Sequence, residues 1–346
     1  MGRTDLRLKL EILERGIVVS PSARQTLTGA GSRPLTFHDY ATTGGLTLRF
    51  GREYVNAPVD EWFCDSPAAE LDLIDGQFLL RWKGDEVLAS VLPLPGYLGT
   101  PDADGVMTHA DRLRLSPVDG CSCSCAFCDS PQSQYRLRPL ESLARALSVA
   151  ASDRPLPPAH GLISGGTPRA DDVPEFDETV VELVRASPVP MDVMMMPRSD
   201  THLIDDLADA GIDGFAVNIE LFGAEAAAAL TPQKARCGPE LYSAFWEHAL
   251  EKTGGGRVRS LLIVGFEPEA DTLAGVEYIA SHGIDPVLSP FRPAPGTRFA
   301  DQRPPSADVM ERLHDRAVRV ADRYGVRLGP RCVPCQHNVI AVAADA

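Results

Sequence analysis

The sequence predicts an α/β fold: six strand–helix units curled into a partial barrel, with a small β-rich unit before it and a short extension after it. Three observations carry this reading. From about Arg112, strand-like apolar runs alternate with stretches bearing helical signals, the pattern of a parallel sheet with right-handed crossovers. Before Arg112 the chain has short β-like runs punctuated by Gly, Pro and Asp. The chemically unusual residues fall just after strands, where a curled parallel sheet gathers its working groups. The expected division is 1–109 for the β-rich N-terminal unit, 110–328 for the barrel and 329–346 for a Cys-containing tail.

In chain order, Leu6–Ile17 has apolar residues at 6, 8, 10, 12 and 13, which suits a helix of ambiguous period. Leu46–Phe50, Leu71–Ile74, Phe78–Trp82 and Val87–Leu94 read as strands, with a hairpin turning at Gly84-Asp85. The Pro/Gly/Asp stretch Pro93–Asp104 separates this unit from the barrel. The barrel strands are expected at Arg112–Ser116, Gly161–Ser164, Met191–Met196, Gly214–Ile219, Val258–Val264 and Pro286–Ser289. Asp200 is placed to cap a helix with Leu203, Ile204 and Leu207 on one face and Gly211 as its stop. Asp271 is placed to cap another, with Leu273, Val276 and Ile279 inward and Gly283 ending it. A helix is expected over Pro239–Lys252. In the last helix Leu313, Ala317, Val320 and Tyr324 share one face before Gly325.

The 346 residues carry 33 Lys+Arg against 48 Asp+Glu, a formal net charge of −15. An acidic chain without a basic run argues against nucleic-acid binding, which rests on phosphate neutralisation. A 44% hydrophobic content is enough for a sizeable core. No apolar run approaches the roughly 18–20 residues that span a bilayer. Met1–Arg7 shows no secretory or lipidation pattern, so no membrane association is expected. Four of the eight cysteines lie within eight residues, unlike a disulfide framework, and the expected compartment is the reducing cytoplasm.

The run Asp119-Gly120-Cys121-Ser122-Cys123-Ser124-Cys125-Ala126-Phe127-Cys128-Asp129 follows the first barrel strand. A short loop can point Cys121, Cys125 and Cys128 inward together. Three cysteines fill three irons of a [4Fe–4S] cluster and leave the fourth iron open to an exogenous ligand. Zinc is the main rival, although a closed zinc site would want a fourth ligand; a redox-sensitive loop is another. Cys123 is surplus to this pattern, and Cys64 and Cys237 are expected to be thiols without a metal.

The pattern Cys121-x3-Cys125-x2-Cys128, with Phe127 before the last cysteine, resembles the radical S-adenosylmethionine (SAM) superfamily. The resemblance covers about residues 110–300 and points to the biotin synthase and methylornithine synthase branch. It implies a radical SAM partial (β/α)6 TIM-like barrel, a [4Fe–4S] cluster and SAM as cofactors, and an electron donor such as flavodoxin or ferredoxin. Ser164-Gly165-Gly166-Thr167-Pro168 looks like the family's segment for the methionyl amine of SAM. Its glycines let backbone approach a ligand without a Cβ in the way. Asn218 and Glu220, at the end of the fourth strand, match a position that holds the SAM ribose or amino group; strand-end groups satisfying loop amides are the plainer reading. Lys234 and Arg236 resemble a basic segment that pairs the SAM carboxylate, an Arg offering a bidentate fork and a Lys a point charge. Gly265 lies in a segment resembling the one beside adenine, though Leu261 stands at the first glycine position and Glu267 comes one residue early. Phe291, in the Pro-rich segment Ser289–Thr297, is a further adenine neighbour. Arg292 and Arg298 are candidates for a substrate anion, as is Arg198 after Met194-Met195-Met196-Pro197.

Cys332 and Cys335, a Cys-x2-Cys pair with His337 close behind, have metal-ligand spacing but do not fill a tetrahedral site alone. A second metal or Fe–S site, a tail presenting thiols to the active site, and a redox or free pair are the open readings. The resemblance thus implies reductive cleavage of SAM and radical chemistry on a small molecule. The alternative is transfer of the 3-amino-3-carboxypropyl group of SAM. A cluster-only electron-transfer or sensor protein and a zinc hydrolase are the more distant rivals.

Overall fold

The computed structural model describes residues 2–36, 39 and 44–343, whose strands form three sheets. The chain begins with helix α1 (Gly2–Arg15), strand β1 (Ile17–Val19) and helix α2 (Pro21–Gly29). β2 (Leu46–Phe50), β3 (Glu53–Ala57), β4 (Ala69–Ile74), β5 (Gln77–Trp82) and β6 (Asp85–Val91) follow. The first sheet has the order β1-β4-β5-β6-β2-β3, with β1 parallel to β4 and the other pairs antiparallel. The β5–β6 turn sits at Lys83-Gly84, one residue earlier than expected. Both residues have positive φ (52° and 90°) and join the Trp82↔Asp85 pair, the backbone that a two-residue hairpin wants.

α1 explains its own ambiguous pattern. Leu6, Leu8, Lys9, Leu10, Glu11, Ile12 and Leu13 are all buried, because α1 packs against both β3 and the last helix. A helix covered on nearly every side shows no clean amphipathic period. It ends two residues earlier than expected, at Arg15, and Gly16 (φ 64°) turns the chain into β1.

The second sheet is built from β7 (Val106–His109), β8 (Arg112–Leu115), β11 (His160–Ile163), β12 (Met191–Met194), β13 (Gly214–Ala216), β14 (Val258–Val264) and β15 (Asp285–Pro290). Its order is β15-β14-β13-β12-β11-β8-β7. β8 and β11 to β15 run parallel, and β7 is antiparallel at the edge. The connecting helices are α3 (Leu140–Ala151), α4 (Val173–Ala186), α5 (His202–Asp209), α6 (Ala224–Leu230), α7 (Pro232–Thr253), α8 (Glu269–Ser281) and, after β15, α9 (Ala307–Tyr324). This is a curled half-barrel. β7 corrects the expected domain division: the line between 109 and 110 cuts through an edge hairpin of the barrel sheet. β12 and β13 are shorter than expected because their pairing stops at Met194↔Ala216.

Three helix expectations need correction. Thr201, not Asp200, is the residue before α5, although Asp200 Oδ1 accepts from His202 N at 3.0 Å. α8 starts at Glu269 after Pro268, so Asp271 lies in its first turn rather than capping it. The helix expected over Pro239–Lys252 starts at Pro232 and is kinked at Gly238 (φ 70°). α9 follows its expected face, with Ser306 Oγ accepting from Val309 N and Gly325 as a left-handed C-cap; Tyr324, however, is exposed and donates to Glu277 Oε1 at 2.8 Å.

Two small features position the site. β9 (Val118–Asp119) pairs antiparallel with β10 (Arg136–Leu137), pinching the two ends of the cysteine loop together. Asp119 reinforces the pinch through Arg136 and Arg138, each at 2.7 Å. The C-terminal tail runs between barrel and N-terminal sheet. Gly329 N donates to Pro286 O (2.8 Å) and Ile340 N to Leu288 O (2.7 Å) on the β15 side. Asn56 N donates to His337 O (2.6 Å), and the buried Lys9 ammonium donates to Ala341 O on the other. A single hydrophobic cluster extends from Leu6 through the barrel to Val342.

Candidate active site

The cysteine loop is stitched to the segment after β11. Ser122 N donates to Thr167 O (3.0 Å), Ser122 Oγ to Pro168 O (2.9 Å), and Thr167 N to Cys121 Sγ (3.1 Å). Ala126 N donates to Leu230 O (2.9 Å), and Ser124 binds the Gln233 side chain. All eight cysteines are free thiols. A hydrogen bond from the Cys123 thiol holds the Cys121 thiol well below its ordinary pKa against the opposing effect of burial, with help from the Thr167 and Cys123 amides. Cys123 is pushed up in return. Burial pushes Cys125 to about 12, with the Glu220 carboxylate adding to it, and raises Cys128 as well. Metal binding would draw off these protons, since thiolate is the ligand form.

Gly166 fixes how closely the two segments meet. A Cβ there would lie 1.7 Å from Gly120 O and 2.9 Å from Cys121 Cα. Gly166→Ala is therefore expected to cost about 3 kcal/mol, the upper end of ordinary overpacking, and to displace the cysteine loop. A melting curve together with iron content after reconstitution checks this; wild-type values for both would contradict it.

A cavity of about 1190 Å³ occupies the barrel. Cys128, Gly165, Gly166, Asn218, Glu220 and Phe291 line it near the strands' C-terminal ends. Arg259, Leu261 and Ile263 of β14 line it at every second position, as a strand's period requires. Arg112 and Arg114 do the same from β8. Arg259 is held by Asp192 at 2.6 Å, and its Nη2 is buried with no hydrogen-bond partner among the described residues. Arg292 also faces the cavity but donates to Asn56 O (3.1 Å) and Gly44 O (3.0 Å), tying the barrel to the N-terminal unit.

Glu220 has φ 72° at the end of the fourth parallel strand, an uncommon backbone for a non-glycine. Its carboxylate meets Lys234 Nζ at 3.0 Å, and Lys234 also donates to Asn218 O at 2.9 Å. Burial opposes the Lys234 charge, yet Glu220 keeps its pKa above the ordinary lysine value. Lys234 thus stands behind Glu220. Arg236, its expected companion at a carboxylate, is exposed. Thr167 and Pro168 lie against the cysteine loop, and Gly265 (φ 122°) lies behind Phe291, whose Cβ a side chain there would meet at 3.4 Å. Phe291 joins a ring cluster with Phe266 (4.5 Å), which stacks on Phe127 at 5.4 Å.

Three arginine or glutamate candidates have other partners or places. Arg198 is paired with Asp177 (2.9 Å) and Arg298 is exposed over Phe299. Glu267 accepts from Phe222 N (2.9 Å) and Gly223 N (2.8 Å), securing the loop after the fourth strand. Asp192, Arg259, Arg112 and Arg114 escaped sequence reasoning. Their signal was a charge inside an otherwise apolar strand: one each in β12 and β14, and two at alternate positions in β8.

At the opposite, N-terminal end of the parallel strands, the tail brings Cys332 and Cys335 to Asp111 and His160. One donor atom from each of the four lies within 4.8 Å of the others. Asp111 and His160 were also missed; they precede or begin adjacent strands, and only the register that sets His160 beside Arg112 brings them together. Cys335 lines the same cavity from below.

No protein-family model matches the chain. A 140-residue stretch, 39% of this chain and 35% of the relative, is 26% identical to bacteriochlorophyllide c C-7(1)-hydroxylase of Chlorobaculum limnaeum. The structure of HydG, a maturase of the [FeFe]-hydrogenase, matches with a TM-score of 0.50 and 15% identity, covering 62% of this chain and 50% of HydG. A radical SAM methyltransferase from Sphaerobacter thermophilus matches with a TM-score of 0.49 and 17% identity over 76% of each chain. The matched part thus spans about a third of the curated relative and half of HydG. The chain shares the fold of HydG over the matched part, in agreement with the barrel that the resemblance in its cysteine loop implies. Among the described residues no helix is long and apolar enough to cross a membrane.

Proposed function

We propose that the protein is a radical SAM enzyme acting on a small anionic molecule inside the barrel. The observation that carries this is the convergence of Cys128, Gly165, Gly166, Asn218, Glu220 and Phe291 on one cavity at the strands' C-terminal ends. The donor set fits a [4Fe–4S] cluster: three half-buried cysteine sulfurs on one loop, closed at its base by the β9–β10 pair. When bound, cluster and SAM supply a carbon radical by reductive cleavage of a sulfonium C–S bond.

The chain's own contribution is binding, orientation and exclusion. Cys121, Cys125 and Cys128 would hold the cluster. Gly165 and Gly166 open backbone toward the methionyl end of SAM, and Thr167 and Pro168 keep that segment on the cysteine loop. Asn218 and Glu220 bind the polar part of SAM, with Lys234 fixing the Glu220 carboxylate and Arg236 lying outside this group. Gly265 makes room for Phe291, which packs the adenine. At about 1190 Å³ the cavity exceeds the roughly 300–1,000 Å³ of single-ligand sites, leaving space for a substrate beside SAM. Arg112, Arg114 and Arg259 line that space with positive charge, which suits an anionic group such as a carboxylate or phosphate. The tail residues Pro330, Cys335, Asn338 and Val339 close the end of the cavity opposite the cysteine loop and limit water entry from that side. A one-electron donor of the flavodoxin or ferredoxin class would supply the reductant, and a cytoplasmic setting suits the free thiols.

Calorimetric titration of SAM into the anaerobically reconstituted protein tests the assignment. Asn218→Ala is expected to weaken SAM binding by about 1–3 kcal/mol, the cost of an unpaired buried polar partner. Equal affinity in wild type and variant would remove Asn218 from the site, and no binding in wild type would favour a cluster-only protein.

A further inference from the structure

We propose that Asp111, His160, Cys332 and Cys335 form a tetrahedral zinc site that fastens the C-terminal tail to the N-terminal ends of β8 and β11. Four of the six distances among the donors are close to those a zinc ion imposes. Zinc bonds of about 2.0–2.3 Å place the corners of a tetrahedron about 3.3–3.8 Å apart. Cys335 Sγ lies 3.2 Å from His160 Nε2 and 3.9 Å from Asp111 Oδ1. Cys332 Sγ lies 3.4 Å from Asp111 Oδ1, and His160 Nε2 lies 3.6 Å from the same oxygen. A [4Fe–4S] cube does not fit between donors already this close.

Three separate parts of the chain supply the donors. Asp111 comes from the turn between β7 and β8, His160 is the first residue of β11, and both cysteines come from the tail around the short turn Pro334–Gln336. Two thiolates, an imidazole and a carboxylate form a zinc donor set, and four protein ligands make it a closed structural site. The site's position gives it a consequence for the cavity. Pro330, Cys335, Asn338 and Val339 line the cavity, so the ion would fix its floor from the end opposite the cysteine loop.

The test uses the full chain, expressed with zinc and purified under reducing conditions without cluster reconstitution. Wild type and Cys125→Ala are expected to retain one zinc per chain by elemental analysis, whereas Cys332→Ser and His160→Gln lose it. Cobalt substitution of wild type should give tetrahedral d–d bands with thiolate-to-cobalt charge transfer. Stripping the ion from wild type with a chelator should lower its melting temperature, a readout that needs no variant to fold. The proposal is overturned if wild type holds no zinc, if Cys332→Ser keeps it, if iron and sulfide occupy the tail cysteines, or if they form a disulfide under the same conditions. These readouts are independent of SAM turnover, so the zinc site and the proposed activity stand or fall separately.

Discussion

Cys125→Ala will lose the cluster and fall to background in SAM cleavage, while Cys123→Ser will keep both. The two thiols lie two residues apart on one loop and differ in surroundings rather than chemistry. Cys125 faces the Glu220 side, and the carboxylate's charge raises its pKa beyond what burial does alone. Cys123 is buried and serves Cys121 through a thiol hydrogen bond. Replacing Cys123 by serine keeps a donor to that sulfur, so the cluster ligands are untouched. Removing Cys125 leaves two cysteines for a cluster that needs three protein sulfurs to expose one iron. Iron and sulfide analysis after anaerobic reconstitution reads the difference. Equal iron in wild type and Cys125→Ala would contradict the assignment, as would loss of iron in Cys123→Ser.

Asp192→Asn carries the second large effect, on stability. Asp192 is buried in the barrel wall, with Arg259 Nη1 2.6 Å away and the Arg112 charge nearby. Burial works against its ionised form, but the two arginines outweigh that and hold its pKa below the usual carboxylate range. Neutralising it removes the carboxylate that Arg259 is paired with in the barrel wall, a loss of about 3–5 kcal/mol. The melting temperature should fall by roughly 5–10 °C, given the smaller shift per kcal/mol in larger proteins. Adding Arg259→Met should restore part of the loss, because the double variant no longer holds Arg259 without its ion-pair partner. A melting temperature within about a degree of wild type for Asp192→Asn would contradict this pairing.

The residues that repeat along one strand or one helix face were legible in the sequence. Val258–Val264 is the observed β14, and the buried face of α9 follows the expected steps apart from Tyr324. The cysteine loop and the Gly165–Gly166 segment were legible because each is local. What the sequence hid depends on pairing between distant segments. The β9–β10 clamp is two residues per strand, too short for a periodic signal. β7 falls inside the stretch assigned to the N-terminal unit, and only its register with β8 puts it on the barrel sheet. Lys234 looks like a free cation for a ligand, whereas the fold turns it onto Glu220. Cys332 and Cys335 looked short of ligands because Asp111 and His160 lie far away in sequence and join them only at the barrel's N-terminal end.

The central claim is that this barrel cleaves SAM reductively at a cluster held by Cys121, Cys125 and Cys128. The direct measurement is product analysis after incubating the reconstituted protein anaerobically with SAM and dithionite. The expected result is 5′-deoxyadenosine from wild type and none from Cys125→Ala. Methylthioadenosine in its place would move the assignment to aminocarboxypropyl transfer, and neither product from a protein with a full complement of iron and sulfide would contradict the account.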